Sequence, residues 1–359
     1  MRRSRAVVWL VLVLFGGAAL VSLPVEARQD DATVRVVAAG LVNPRGFAFG
    51  PDGSLFTASG GSRERPAGVD RVVDGCPSRF VDDLPRAGVA FGAVAGVADL
   101  AFLGDQLFAL VAGGDTDRSD FPNGIYRVGS EGSMELMGDL SAFIQENPVE
   151  AKPGDFDGDG QPYAMVATLA EDGFFVTEGN SNQLLRVSLD GTVVRIADLS
   201  AGHPIPTGVA LRPGGGVYVS FLTRAPYPEG GSRVVLIASD GTSQEVWSGL
   251  SLVTALAVDG AGELYALEMA TGYGDDPSAI APGSGRVVRR TGPTTGTAVV
   301  EGLALPVAME FGPDGGLFVA GPAFGADAGE GRIVRIDLAG SLPVRMVGEL
   351  SGTATCVGG

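Results

Sequence analysis

Six times along this chain an apolar strand, a tight turn containing glycine and a second apolar or aromatic strand recur in the same order. The units read VNPRGFAFGPDGSLFTASG (42–60), VADLAFLGDQLFALVAGGD (97–115), QPYAMVATLAEDGFFVTEGN (161–180), IPTGVALRPGGGVYVSFLT (205–223), VTALAVDGAGELYALEMATG (253–272) and LPVAMEFGPDGGLFVAGPA (305–323). Gly46, Asp99, Ala164, Gly208, Ala255 and Ala308 are equivalent positions, 44 to 65 residues apart. A period of that length is the signature of a repeat architecture whose units cannot bury their apolar faces alone. Most units continue into a third strand, as in GIYRV (124–128) and GRIVRIDLAG (331–340), and a fourth, as in TVVRIADL (192–199) and TAVVEGL (297–303). In the first unit these outer strands are weak, around 69–84. Four strands per unit and six units predict an all-β, six-bladed β-propeller of four-stranded antiparallel blades around a central channel.

Small residues at the equivalent positions let the innermost strands converge on the axis. The Pro-Asp-Gly turns at 51–53 and 313–315 supply a fixed φ and a permissive one where a tight turn needs them. Closing the ring requires an extra strand from one terminus, since an open ring exposes raw sheet edges. Both TVRVVAAGL (33–41) and PVRMVGEL (343–350) have the pattern of an outer strand, and the N-terminal segment is the favoured partner for the last sheet.

The first 27 residues carry Arg2, Arg3 and Arg5, an apolar run from Ala6 to Leu23, and small residues at Val25 and Ala27. This is the organisation of a secretory signal peptide, with the mature single domain over 28–359 and a secreted or cell-envelope destination. The alternative is an uncleaved anchor, because the run approaches the length of a bilayer span. After cleavage no membrane span is expected. The formal charge is −17, which disfavours a nucleic-acid partner. In an oxidising compartment the two cysteines, Cys76 and Cys356, are candidates for a disulfide joining the first repeat to the tail, with free or intermolecular thiols as the other reading.

The stretches GLVNPRGFAFGPDG (40–53), ENPVE to QPYA (146–164), FFVTEGNSNQLLRVSLDGT (174–192) and PIPTGVALRPGGGVYVSFLT (204–223), with PYPEGGSRV (226–234) after the last, resemble the ScyD/ScyE family. Its members are secreted or periplasmic NHL/TolB-like six-bladed propellers associated with scytonemin biosynthesis. The resemblance spans nearly the whole mature chain. It implies fold and export, and for most members no assigned activity. The chain departs from the family pattern at DFDGDG (155–160) and at Ala164, where glycine is preferred.

Propeller ligands sit where the inner strands begin and the connecting loops converge. Asn43, Arg45, Asp99, Tyr163, Thr207 and Thr254 occupy such positions, and an Arg beside an Asp and an Asn suits a small polar or anionic ligand. The competing reading is that they tie loops together. Glu178, Asn180 and Asn182 after the second strand of the third repeat, and Glu268 in the fifth, invite comparison with the carboxylates and amides that hold a divalent ion in gluconolactonase-like propellers, but their spacing is not specific and outer-loop hydrogen bonding is the favoured reading. Asp155, Asp157 and Asp159 with Gly160 resemble the start of a calcium loop, but the twelfth position is Val166 rather than Glu, so a solvated acidic turn is the alternative to Ca2+. His203 is the only histidine, and no G-x-S-x-G elbow accompanies it, so a His-based metal cluster is excluded and a catalytic triad has no support. The expectation is a propeller that offers its channel mouth to a small molecule, a carbohydrate or a protein partner without established catalysis. The alternative is a calcium-dependent lactonase-like or sugar-dehydrogenase-like enzyme.

Overall fold

The computed structural model describes residues 34–88, 93–117, 121–271, 280–339 and 342–346. The chain enters on β1 (Val34–Leu41) and then builds blade one from β2 (Pro44–Phe49), β3 (Leu55–Ser59), β4 (Ala67–Val73) and β5 (Cys76–Leu84). A short hairpin, β6 (Ala87–Gly88) and β7 (Val94–Ala95), leads to blade two: β8 (Val97–Leu103), β9 (Gln106–Val111), β10 (Gly124–Val128) and β11 (Met134–Asp139). The helix α1 (Leu140–Glu146) follows, its first turn capped by the Asp139 carboxylate, which accepts the Ala142 N–H at 2.8 Å. Blade three is β12 (Pro162–Ala167), β13 (Gly173–Glu178), β14 (Gln183–Ser188) and β15 (Val193–Asp198). Blade four is β16 (Pro206–Leu211), β17 (Val217–Phe221), β18 (Ser232–Ile237) and β19 (Ser243–Leu250). Blade five is β20 (Val253–Val258), β21 (Leu264–Glu268), β22 (Gly285–Arg290) and β23 (Gly296–Leu303). Blade six takes β24 (Ala308–Phe311), β25 (Leu317–Gly321) and β26 (Gly331–Ile336) from the end of the chain, and β27 (Val344–Arg345) comes last.

The six predicted blades are all present, and the outer strands of blade one are as regular as the rest. The ring closes as the favoured reading expects: β1 pairs antiparallel with β26, from Val34 opposite Ile336 to Leu41 opposite Gly331. Blade six is therefore assembled from both ends of the chain, so unfolding it requires breaking a long-range contact. The other candidate strand has a different use. Val344 and Arg345 of β27 pair parallel with Val300 and Glu301 on β23, adding a fifth strand that covers the edge of blade five.

No blade has a core of its own. The apolar clusters lie between neighbouring sheets: Ala58 and Val69 of blade one meet Leu100 and Leu107 of blade two, and Phe108 and Leu110 of blade two meet Phe174 and Val176 of blade three. Trp247 from blade four packs with Leu256 and Ala266 from blade five, and Phe47 closes the circle against Phe318 and Ile333 of blade six. Burial of both faces of each sheet is what makes a thin four-stranded unit stable. The innermost strands touch in the cyclic order β2, β8, β12, β16, β20, β24 and back to β2, and so form the channel wall.

Two glycines show why small residues were required there. A Cβ on Gly208 would come within 2.7 Å of the Leu256 backbone nitrogen in the next blade, and one on Gly46 within 2.7 Å of the Asp99 Cα. Cys76, at the start of β5, is disulfide-bonded. The other half of the expected pair, Cys356, and the signal segment 1–27 both lie outside the described residues. Among the described residues no helix is long and apolar enough to cross a membrane.

Candidate functional site

The central channel has a volume of about 470 Å³ and is lined by all six inner strands. Its polar side chains are unevenly distributed. Glu310 on β24, Arg45 on β2, Asp99 on β8 and Tyr163 on β12 occupy four consecutive strands of the ring, and all four line the channel. The two remaining strands, β16 and β20, carry no charged residue.

Asp99 is held rigidly. Its Oδ2 accepts the Met165 N–H from the neighbouring inner strand at 2.9 Å, and its Oδ1 accepts the Leu100 N–H at 2.9 Å. The side chain fills space that a Cβ at position 46 would occupy, since such an atom would lie 1.8 Å from Asp99 Oδ1. Gly46 and Asp99 are thus complementary, and the only acidic residue among the six equivalent positions is matched by a glycine next door. Burial pushes the Asp99 carboxyl up to about 7, against the opposing pull of its two backbone donors and of Arg45.

Arg45 places its guanidinium over the Tyr163 ring, 5.5 Å from Cζ to the ring centre, a cation–π contact. Burial raises the Tyr163 hydroxyl above its usual range; Arg45 draws it back down and Asp99 pushes it further up. The phenol therefore stays protonated at neutral pH. Among the described residues Arg45 has no carboxylate within 4 Å, and the Tyr163 hydroxyl and the Glu310 carboxyl have no hydrogen-bond partner.

Glu310 was not foreseen from sequence. Its side chain is exposed to the channel space, and desolvation by the surrounding protein, with the nearby Asp99 charge, raises its carboxyl to about 8. Asp99 ionises first as pH rises, so its charge bears on Glu310, whereas Glu310 is still neutral when Asp99 titrates. The signal that would have found it lies in the repeat. Two residues after each equivalent position the other blades have Ala48, Ala101, Val166, Ala210 and Ala257, and blade six has Glu310.

The structure brings Arg45, Asp99 and Tyr163 together and places the other candidates in loop and seam ties. Asn43 is buried at the seam of blades one and six, where its amide donates to the Gly61 carbonyl at 2.8 Å and to Asp327 at 2.7 Å and accepts the Ala326 N–H at 2.9 Å. Thr207 donates to the Val253 carbonyl of the next blade at 2.6 Å, and Thr254 reaches the Pro306 carbonyl at 3.3 Å. Glu178 is fully buried. It accepts the N–H groups of Gln161, Asn180 and Ser181 at 2.7, 2.7 and 2.8 Å and the Ser181 hydroxyl as well. Glu268 accepts the Ser251 N–H at 2.6 Å and pairs with Arg286. None of these five lines the channel except Thr254.

The acidic turn of blade three disperses its carboxylates. Asp159 accepts the Thr116 hydroxyl at 2.7 Å, Asp157 accepts the Asp159 N–H at 3.0 Å, and Asp155 faces His203 Nε2 at 3.5 Å. Asn180 clamps the same turn, accepting the Asp157 N–H at 2.8 Å and donating to the Asp155 carbonyl at 2.9 Å. Among the described residues no group of three or more His, Cys, Asp or Glu side chains is placed to hold a metal ion. His203 has a packing role in this network: its Nδ1 meets the Asn182 amide nitrogen at 2.6 Å, which assigns the ring proton to Nε2, toward Asp155.

No protein-family model and no curated protein sequence matches the chain. Solved structures do share its fold. A putative oxidoreductase (glucose dehydrogenase) from Thermus thermophilus superposes with a TM-score of 0.60 at 16% identity, over 85% of this chain and 99% of that one. The PQQ-bound aldose sugar dehydrogenase of Streptomyces coelicolor gives 0.58 at 15% identity, over 86% and 98%. A gluconolactonase from Xanthomonas campestris gives 0.57 at 17% identity, over 87% and 91%. At such identities the likeness is one of fold.

Proposed function

We propose that the protein is an exported, ScyD/ScyE-like propeller that binds a small polar molecule, or the polar end of a carbohydrate or protein partner, in its channel through Arg45, Asp99, Tyr163 and Glu310. The observation that carries this reading is the contrast in hydrogen bonding around the ring. At the blade seams and loop ends Asn43, Glu178, Thr207, Thr254 and Glu268 all have intramolecular partners. On the channel wall a guanidinium, a phenol and a carboxyl face an enclosed space with their capacity unused. Near neutral pH Tyr163 and protonated Glu310 donate hydrogen bonds and Arg45 supplies a charge, so the arc suits a ligand rich in acceptor oxygens. The proposed test is a thermal-shift screen of small polar metabolites on the full chain and on Arg45→Gln. A compound that raises Tm of the natural chain should raise that of the variant much less; equal shifts would reject Arg45 as a ligand group.

A second reading, a calcium-dependent enzyme of the lactonase or sugar-dehydrogenase kind, is supported by the fold shared with such proteins. The commitment of Glu178 and Glu268 to their own loops favours the first reading. Chelation decides between them. An enzyme of this kind loses activity and Tm when stripped of calcium, and a chain without a resident cation does not.

A further inference from the structure

The channel mouth has a neighbour. On blade one the residues Pro44 and Ser59, Ser59 and Gly68, and Ala67 and Leu84 are in register, so the beginnings of β2 and β4 and the ends of β3 and β5 lie at one rim. Arg45 starts from that rim into the channel. Arg63 stands on the loop after β3, and Arg86 on the connection after β5. Between these two arginines and the β6–β7 hairpin lies a cleft of about 380 Å³, lined also by Ser62, Ala93 and Val94. Cleft and channel approach each other at Gly60: a Cβ there would be 2.6 Å from the carbonyl oxygen of Val94, which lines the cleft, and 3.6 Å from Cγ of Arg45, which lines the channel.

The cleft is built rather than incidental. The Arg63 loop is fixed by Ser62, whose N–H donates to the Arg65 carbonyl at 2.8 Å and whose hydroxyl accepts the N–H groups of Glu64 and Arg65 at 3.3 and 3.2 Å. Ser62 itself is buried, and Gly61 adopts φ +78 where a side chain would run into Ala67 N at 2.8 Å. Arg86 is anchored through its backbone, which packs 2.7 Å from the Cβ position of Gly113, and through Nη2, which donates to the Arg63 carbonyl at 2.9 Å. Arg86 is thereby tied to the Arg63 loop while remaining exposed, and among the described residues its other guanidinium N–H groups make no hydrogen bond. Among the described residues neither Arg63 nor Arg86 has a carboxylate within 4 Å, and Glu64, exposed on the same loop, is the acidic side chain nearest in sequence. In a chain of formal charge −17, three arginines gathered at one mouth form a local attractor for anions.

We propose that this cleft is an entrance subsite for an oxyanion-bearing ligand, a carboxylate or phosphate group docking on Arg63 and Arg86 while the rest of the molecule reaches toward Arg45. The inference rests on the channel-binding reading and names the class of ligand that reading leaves open. Arginine forks match both oxyanions, so the probes are citrate and pyrophosphate, with uncharged xylitol as the control. Titration calorimetry on the full chain should show at least one oxyanion binding more tightly than xylitol, more weakly as ionic strength rises, and about tenfold or more weakly in the Arg63→Gln/Arg86→Gln double variant. Citrate binding alone assigns the site to carboxylates, and pyrophosphate alone to phosphates. If neither oxyanion exceeds xylitol, or if the double variant binds them unchanged, the subsite is overturned. Arg45→Gln separates the two readings: lost oxyanion binding there with none lost in the double variant rejects the cleft and leaves the channel site standing. Both variants exchange exposed or channel-facing groups, and an unchanged Tm checks that they fold.

Discussion

Two arcs of the same ring use their polar residues in opposite ways. Across blades three to five, polar groups near the inner strands tie one blade to the next: Thr177 donates to the Thr207 carbonyl, Thr207 to Val253, and Thr254 to Pro306. Glu178 and Glu268, at the ends of β13 and β21, are saturated by loop donors. Along the arc from β24 through β2 and β8 to β12, Glu310, Arg45 and Tyr163 lack such partners, and Asp99 alone bridges to its neighbour. One repeat position can therefore tie one blade to the next in one repeat and face the channel in another. The tied residues are buried and hydrogen-bonded within the protein, whereas the channel residues are half-buried or exposed and, Asp99 apart, lack such partners.

The contrast is sharpest between the two glutamates. Glu178→Ala strands several buried donors and should cost about 3 kcal/mol or more in denaturant unfolding. Glu310→Ala removes an acid that no donor serves, and its Tm should be unchanged or higher. If both variants lose stability equally, the division into tied and open arcs fails. Next in size is Gly46→Ala. A Cβ there meets the Asp99 backbone at 2.7 Å, and the expected cost is about 2 kcal/mol, recovered in part when Asp99→Ala is added. Additive losses would show that the two positions are not complementary. Thr207→Val leaves the Val253 carbonyl without its donor and should cost about 1 kcal/mol.

A further effect is one of pH. In the folded chain Glu310 keeps its proton to about 8, against an ordinary value of 4.5, so between those limits the native state holds more protons than the unfolded one. Stability must then fall as pH rises through that window and level off beyond it. Asp99 contributes in the same sense from 3.8 to about 7, which leaves Glu310 as the main source of slope above that point. Glu310→Gln cannot ionise, and its Tm curve should be flatter than that of the natural chain at the upper end of the window. Parallel curves would contradict the environment assigned to Glu310.

Most of the fold could be read from the sequence because a propeller repeats its instructions. The spacing of Gly46, Gly208 and Ala308 marks the inner strands, and one pattern seen six times overrides the ambiguity of any single short strand. Val34–Leu41 was legible as the closing strand for the same reason, whereas the parallel docking of Val344 on β23 follows from no local pattern. The site was legible in part. Arg45, Asp99 and Tyr163 interrupt a run of small residues and so stand out. Glu178, Asn180 and Glu268 match them as residue types, and their loop hydrogen bonds, some local and some from residues 17 positions away, agree with the outer-loop reading favoured from sequence. Glu310 breaks the series of small residues two places after each equivalent position, a signal visible only when all six repeats are aligned.

The central claim is that the channel arc is an enclosed site whose carboxyl groups keep their protons into the neutral range. The most direct test is a pH titration of the Asp99 and Glu310 side-chain carboxyl carbons by NMR in the full chain, assigned with Asp99→Asn and Glu310→Gln. The account predicts midpoints near 7 for Asp99 and near 8 for Glu310, with Asp99 titrating first. Midpoints close to the ordinary 3.8 and 4.5 would mean that the channel is as wet as the outer surface, and the site proposed there would lose its basis.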